Sequence, residues 1–276
     1  MDVKAPIAKK IPLKLEKHGN VRIDDYYWMN DREDQEVIDY LNSENAYYEK
    51  MTAHTKDFQE KLFHEMKSRI KEDDSSVPYK YNGYWYITKY KTGQEYPIYS
   101  RRKENMDAED EILFDCNELA KGHDYFNFKG VSVSPDNTMA SFGVDTVSRR
   151  EYDIQIKNLQ TGAVYPDKIE KTTGSSVWGN DGKTLFYTKK DTVTLRSDKI
   201  YRHTLGSEST EDVLVYHEKD ETFNTFVYKT KSKKFIVIGS VSTLTSEYQI
   251  LNADIPEGDF RIFSPREIGV EYSIAH

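Results

Sequence analysis

Arg149 and Arg150 stand side by side in a polar stretch between two apolar runs, and their types and spacing suit recognition chemistry. Adjacent guanidiniums present planar forks of N–H donors that match a carboxylate, on a peptide or on a partner domain. The plain alternative is a solvated loop pair, because exposed ion pairs contribute little. The patterns that signal catalysis are incomplete. His64-Glu65-Met66-Lys67-Ser68 opens like a zinc-peptidase helix, but Ser68 stands where the second histidine ligand must fall one turn on. Gly130-Val131-Ser132-Val133-Ser134 lacks the closing glycine of a nucleophile elbow and reads as strand. No phosphate-cradling loop of either the dinucleotide or the Gly-Lys-Ser/Thr kind occurs. His203 and His217 fall in expected strands and His18, His54 and His123 in polar stretches, none with a ligand partner at short spacing. Cys116, the single cysteine, has no cationic neighbours in sequence and reads as a small core residue. The sequence therefore assigns no catalytic residue, no metal and no cofactor.

Charge narrows the partners. A net charge of −8 argues against nucleic acid, whose binders need clustered Lys and Arg to displace counterions. It mildly suits a cationic ligand. Residues 1–20 carry five lysines but no apolar run of the signal-peptide kind, and nowhere do 18 apolar residues follow one another. The expectation is a cytoplasmic protein with no membrane partner, or a periplasmic one if a leader has been removed. One cysteine, which has no internal partner for a disulfide, fits a reducing compartment.

The elements that must position these residues fall into two kinds. Residues 1–78 read as an extension with two helices. The capping pair Asn30 and Glu33 marks the first start. Val37, Leu41, Tyr48 and Met51 then share one helical face, and after a break at 52–55 a second face runs through Phe58, Leu62, Met66 and Ile70. Pro78, behind a run of Asp and Ser, closes the segment. From Tyr79 a phrase of strand, tight turn and more apolar strand recurs four times. Its turns are Asn82-Gly83, Ser134-Pro135-Asp136-Asn137, Asn180-Asp181-Gly182-Lys183 and Lys231-Ser232-Lys233-Lys234. The following strands begin at Tyr84, Thr138, Thr184 and Phe235, in steps of 54, 46 and 51 residues, which is the spacing of propeller blades. The 21 tyrosines suit many half-exposed strands. Blades are expected near 79–120, 126–168, 174–217 and 223–265, with a fifth beginning near 271. The acidic run 107–111 reads as a solvated connector.

The order of these features resembles the oligopeptidase B (protease II) branch of the prolyl oligopeptidase family of serine peptidases. The likeness rests on Asp24-Asp25-Tyr26-Tyr27-Trp28-Met29, Tyr40-Leu41-Asn42-Ser43-Glu44-Asn45-Ala46-Tyr47, Glu95-Tyr96-Pro97 and Val147-Ser148-Arg149-Arg150-Glu151-Tyr152. It continues through Asn158-Leu159-Gln160-Thr161-Gly162, Ser176-Val177-Trp178, Glu218-Lys219-Asp220 and Glu271-Tyr272-Ser273-Ile274, and so spans the chain. It implies a helical extension, a seven-bladed propeller and a C-terminal α/β-hydrolase domain that carries a Ser, Asp and His triad. It also implies cleavage of short peptides after Arg or Lys, with the propeller restricting the entry of folded proteins.

The chain stops at His276, so the expected fold is an incomplete all-β propeller of about four blades preceded by the helical extension. The hydrolase domain is expected to lie outside it, together with the triad and the acidic residues that hold the basic side chain. The reading that follows is an inert gating part of a serine endopeptidase, partnered by its own hydrolase domain. Open blade edges would favour self-association, and the uncovered helical face would be nicked early by proteases. A competing reading is a self-contained propeller that binds peptides or proteins. Glycan binding through the tyrosines has only composition behind it.

Overall fold

A computed structural model of the chain describes residues 4–276, which form two compact units, one ending at Lys71 and one running from Glu72 to His276. The first unit opens on a hairpin the sequence reading missed. β1 (Leu13–Lys17) and β2 (Asn20–Asp24) pair antiparallel around His18 and Gly19, whose φ angles of 53° and 74° match the primed turns that follow strand twist. The chain then stays in turns: the Asp24 side chain accepts from the Tyr26 amide at 3.0 Å and that of Asp31 from the Glu33 amide at 3.1 Å. These side-chain bonds delay the first helix. α1 (Gln35–Thr52) starts five residues after Asn30, and its cap is Asp34, which accepts from the Glu36 amide at 2.8 Å. A 3-10 turn over Ala53–Thr55 separates it from α2 (Lys56–Ser68), in which no residue is buried. Phe58, Leu62, Phe63 and Met66 are all exposed on α2. No described helix is long and apolar enough to cross a membrane.

The second unit is built of sheets. The first contains β3 (Asp74–Ser75), β4 (Tyr79–Tyr81), β5 (Tyr84–Tyr90), β6 (Ile98–Lys103) and β7 (Glu111–Asp115). Asn82 and Gly83, with φ of 48° and 83°, make the tight turn that places Tyr81 opposite Tyr84. The second runs from β8 (Asn127–Val133) through β9 (Met139–Asp145), β10 (Tyr152–Asn158), β11 (Val164–Trp178), β12 (Thr184–Lys190) and β13 (Ser197–Thr204) to β14 (Val213–His217). The third holds β15 (Asn224–Lys229), β16 (Phe235–Val241), β17 (Ser246–Asn252) and β18 (Arg261–Ile262).

The seven-stranded sheet exists because β11, at 15 residues, serves two ladders. Its first half pairs with β10 from Val164, and Ser176, Val177 and Trp178 pair with β12. Between the halves the strand turns through Lys171 and Gly174, at φ of 59° and 86°. The Thr172 hydroxyl anchors this bend by donating to the Tyr152 carbonyl at 2.8 Å and accepting from the Gly174 amide at 2.9 Å. The stretches near 126–168 and 174–217 thus share one continuous ladder.

Neighbouring sheets bury aromatic and aliphatic faces against one another. Leu113, Phe114, Cys116 and Phe142 pack in one cluster, and Phe186, Ile236, Leu251 and Ala253 in another. Cys116 is wholly buried, and burial pushes its thiol up to about 12, so it is an inert core residue. No ladder joins the last sheet to the first among the described residues, so the propeller is open. Residues 271–276 form no ladder: Tyr272 exchanges hydrogen bonds with the Ser246 hydroxyl, and Tyr228 donates to the Ile274 carbonyl at 2.8 Å.

The acidic run is not a solvated connector throughout. Asp110 pairs with Lys89 and with Arg102, and Glu111 holds buried Arg101 through two bonds of 2.7 and 2.8 Å. Sequence adjacency hid this, because the cations come from β5 and β6 across the sheet.

Candidate functional site

The loop between β9 and β10 is a built structure. The Asp145 carboxylate accepts from the Val147 amide at 2.9 Å and the Arg150 amide at 2.8 Å, and Ser148 and Arg150 take φ of 62° and 57°. The Lys190 ammonium donates to the Arg150 carbonyl. Arg149 and Arg150 are both exposed, and among the described residues neither guanidinium has a hydrogen bond or ion pair. The loop backbone is fixed while its two cationic heads remain available. The same end of the second sheet carries Lys129 and Lys190, whose pKa values fall through burial, and the Lys190 charge lowers Lys129 further.

The repeat turns lie at the other end of β8 and β9, and they do more than connect strands. Asn82 donates its amide to the Pro135 carbonyl and to Asn137 Oδ1, both at 2.9 Å, and Asn137 donates back to the Asn82 carbonyl at 3.2 Å. Asn180 donates to the Lys233 carbonyl at 3.0 Å, and Lys233 Nζ reaches Asn82 Oδ1 at 3.0 Å. Residues 151 positions apart meet there. Turn residues chosen for local φ angles thus also join the sheets.

Between these ends runs the inner wall, formed by β4, β8, the second half of β11 and β15. A cavity of about 540 Å³ is lined by Tyr79, Tyr81, Tyr86, Tyr99, Leu113 and Val131 among others. A second, of about 330 Å³, shares Tyr81 and the stretch 130–133 with it and adds Trp178, Lys229 and Lys233. Lys229 Nζ donates to the Trp178 carbonyl at 2.9 Å, and burial, with Lys233 nearby, pulls its pKa down to about 8. Such aromatic concavities with a few polar heads are the usual form of a binding site.

The titratable clusters elsewhere hold the fold. His203 is fully buried in β13, with Nδ1 2.7 Å from Asp212 Oδ1 and Nε2 3.1 Å from Asp167 Oδ2. Burial opposes its protonation, but the two carboxylates outweigh burial and raise its pKa. Glu218, also buried, accepts from Tyr216, Ser240, Arg266 and the Asp220 amide. Among the described residues one Ser–His contact occurs, between His276 Nδ1 and Ser232 Oγ at 2.7 Å. It is not a catalytic dyad: among the described residues no carboxylate orients the other ring nitrogen, and Thr230 also bonds the Ser232 hydroxyl.

The whole second unit and most of the first match a family model described as the prolyl oligopeptidase N-terminal beta-propeller domain, over residues 6–276. Over 98% of its length the chain is 39% identical to dipeptidyl aminopeptidase BI of Pseudoxanthomonas mexicana. Over 99% it is 34% identical to protease 2 of Moraxella lacunata. The structure of oligopeptidase B from Leishmania major superposes on all of it with a TM-score of 0.91 and 32% identity. The chain spans 40% and 41% of the two curated relatives and 41% of the solved structure.

Proposed function

The chain belongs to the prolyl oligopeptidase family, as its N-terminal β-propeller domain, and from that premise we propose that it controls substrate access in an oligopeptidase B-like serine endopeptidase. The parent would hydrolyse short peptides after Arg or Lys. The observation that carries this reading is the full-length likeness to oligopeptidase B, joined to an inner wall open to ligands and free of a nucleophile–base pair. In the parent, a C-terminal α/β-hydrolase domain would supply nucleophilic serine, histidine general base and oxyanion hole. The propeller's share is steric and conformational: its inner wall admits an extended peptide, and movement against the hydrolase domain completes the site. Arg149 and Arg150, rigidly presented and unpaired, would meet that domain or a peptide carboxylate. No cofactor is required by this chemistry. A cytoplasmic location fits the single buried cysteine, and open sheet edges would support self-association.

A second reading follows from the 39% identity to a protein named dipeptidyl aminopeptidase. The parent would then remove dipeptides from free N-termini. The parent protein, in which this chain is followed by its own hydrolase domain, separates the two. Cleavage of an N-blocked substrate with arginine before a fluorogenic reporter is the expected result. Turnover only of unblocked dipeptide reporters would overturn the endopeptidase reading and favour the second.

A further inference from the structure

Two ammonium groups on one hairpin face a cavity without a carboxylate to neutralise them. Lys229 ends β15, Lys233 sits in the turn to β16, and both line the 330 Å³ cavity. Lys229 donates to the Trp178 carbonyl and Lys233 to Asn82 Oδ1, both neutral acceptors. Among the described residues neither lies within 4.0 Å of a carboxylate; Asp181 and Asp254 act on Lys229 only at longer range. Each ammonium has three N–H donors, so two on each remain for a ligand.

The surroundings restrict what that ligand is. Tyr81 and the β8 stretch 130–133 also line the adjoining 540 Å³ cavity, so the two are one groove along the inner face of β8. Beyond Tyr81 the groove is walled by Tyr79, Tyr86, Ile87, Tyr99 and Leu113. The Tyr86 hydroxyl is buried in that wall beside the Arg101 guanidinium, so the tyrosine face and not its hydroxyl is offered to the groove. A free phosphate would satisfy the lysines but leave this aromatic stretch unused.

We propose that the groove binds the C-terminal end of a peptide, with the α-carboxylate on Lys229 and Lys233 and one or two preceding apolar side chains against the tyrosines. Two charge-assisted hydrogen bonds give the lysine end its selectivity, and aromatic burial adds affinity without demanding one sequence. This site is distinct from Arg149 and Arg150, which lie at the other end of β8 and β9. It does not depend on peptidase activity, since binding is read without turnover.

The test is titration calorimetry of the chain with an N-acetylated tripeptide ending in two leucines, as free acid and as C-terminal amide. The free acid should bind roughly tenfold or more tightly, the discrimination expected of hydrogen bonds to a charged group. Lys229→Met and Lys233→Met, each checked for an unchanged melting curve, should bring the acid down to the affinity of the amide. Inorganic phosphate at equal concentration should not displace the acid. Equal affinity of acid and amide for the unaltered chain would overturn the proposal whatever the variants do. Displacement by phosphate as effective as by the peptide acid would reduce the site to a general anion site and overturn the peptide assignment.

Discussion

Replacing Gly174 with alanine is expected to lower the melting temperature by about 10 °C, from a cost of about 3 to 4 kcal/mol at a few degrees per kcal/mol for a unit of this size. Two effects add. Gly174 takes φ of 86°, a conformation that costs other residues about 1 kcal/mol or more. A Cβ there would also lie 2.6 Å from Tyr152 Cγ, inside a ring that packs against the bend of β11. Its backbone cannot yield, because Gly130 and Gly143 approach the Gly174 carbonyl so closely that a Cβ on either would fall 2.1 or 2.4 Å from it. Gly162 separates the two terms. It has φ of 77° with nothing within 4 Å of its missing Cβ, so Gly162→Ala should cost only about 1 kcal/mol, the backbone share. Thermal unfolding of both variants measures the difference. Equal shifts would show that the crowding around Gly174 carries no energy.

The second large effect is an acid-dependent one at Glu218. Burial opposes its ionisation, but donors from Arg266, Ser240 and Tyr216 outweigh burial and hold the carboxyl at about 2, well below the usual value of 4.5. Arg266 lies over the Phe223 ring at 3.8 Å and also reaches Glu247, so the pair ties β14 and β16 to the segment after β18. The folded-state value is depressed, so the contribution is complete above about pH 5 and is lost as pH falls towards 2. Its size is about 3 kcal/mol, from the difference between the two values at roughly 1.4 kcal/mol per unit. Glu218→Gln should therefore unfold in urea with a stability deficit of that order at pH 7 that shrinks towards zero near pH 2. Other carboxylates titrate in the same window, and comparison of variant with parent cancels them. A deficit independent of pH would mean that packing, not charge, is what Glu218 supplies.

Local chemistry made some of this fold readable. Asn82-Gly83 and Ser134-Pro135-Asp136 carry their turn geometry in their own side chains, so the repeat and its period stood out before any contact was known. The β1–β2 hairpin also carries a local signal, an alternation from Leu13 to Asp24 around His18-Gly19. The first helix began later than its capping pair because Asp24 and Asp31 closed turns of their own, a competition decided by geometry and not by composition. The candidate site was legible only in part. Arg149 and Arg150 could be placed in a loop, since flanking strands frame them. Lys229 and Lys233 looked like ordinary surface lysines. Only folding brings them to Trp178 and Asn82, 51 and 151 residues away, and no local pattern encodes that meeting. Gly143 likewise has no left-handed φ to betray it, and its role is visible only beside Gly174.

The central proposal is that this chain, a prolyl oligopeptidase-family propeller, gates access and leaves catalysis to a hydrolase domain. It is tested most directly by a fluorogenic peptide with arginine before the reporter, offered first to the chain alone and then to the chain mixed with a separately expressed oligopeptidase B hydrolase domain. The account predicts no turnover by the chain alone, and on mixing either turnover or a narrowing of the peptide lengths accepted by the hydrolase domain. Cleavage by the chain alone, or a hydrolase domain whose rate and length preference ignore the chain, would contradict it.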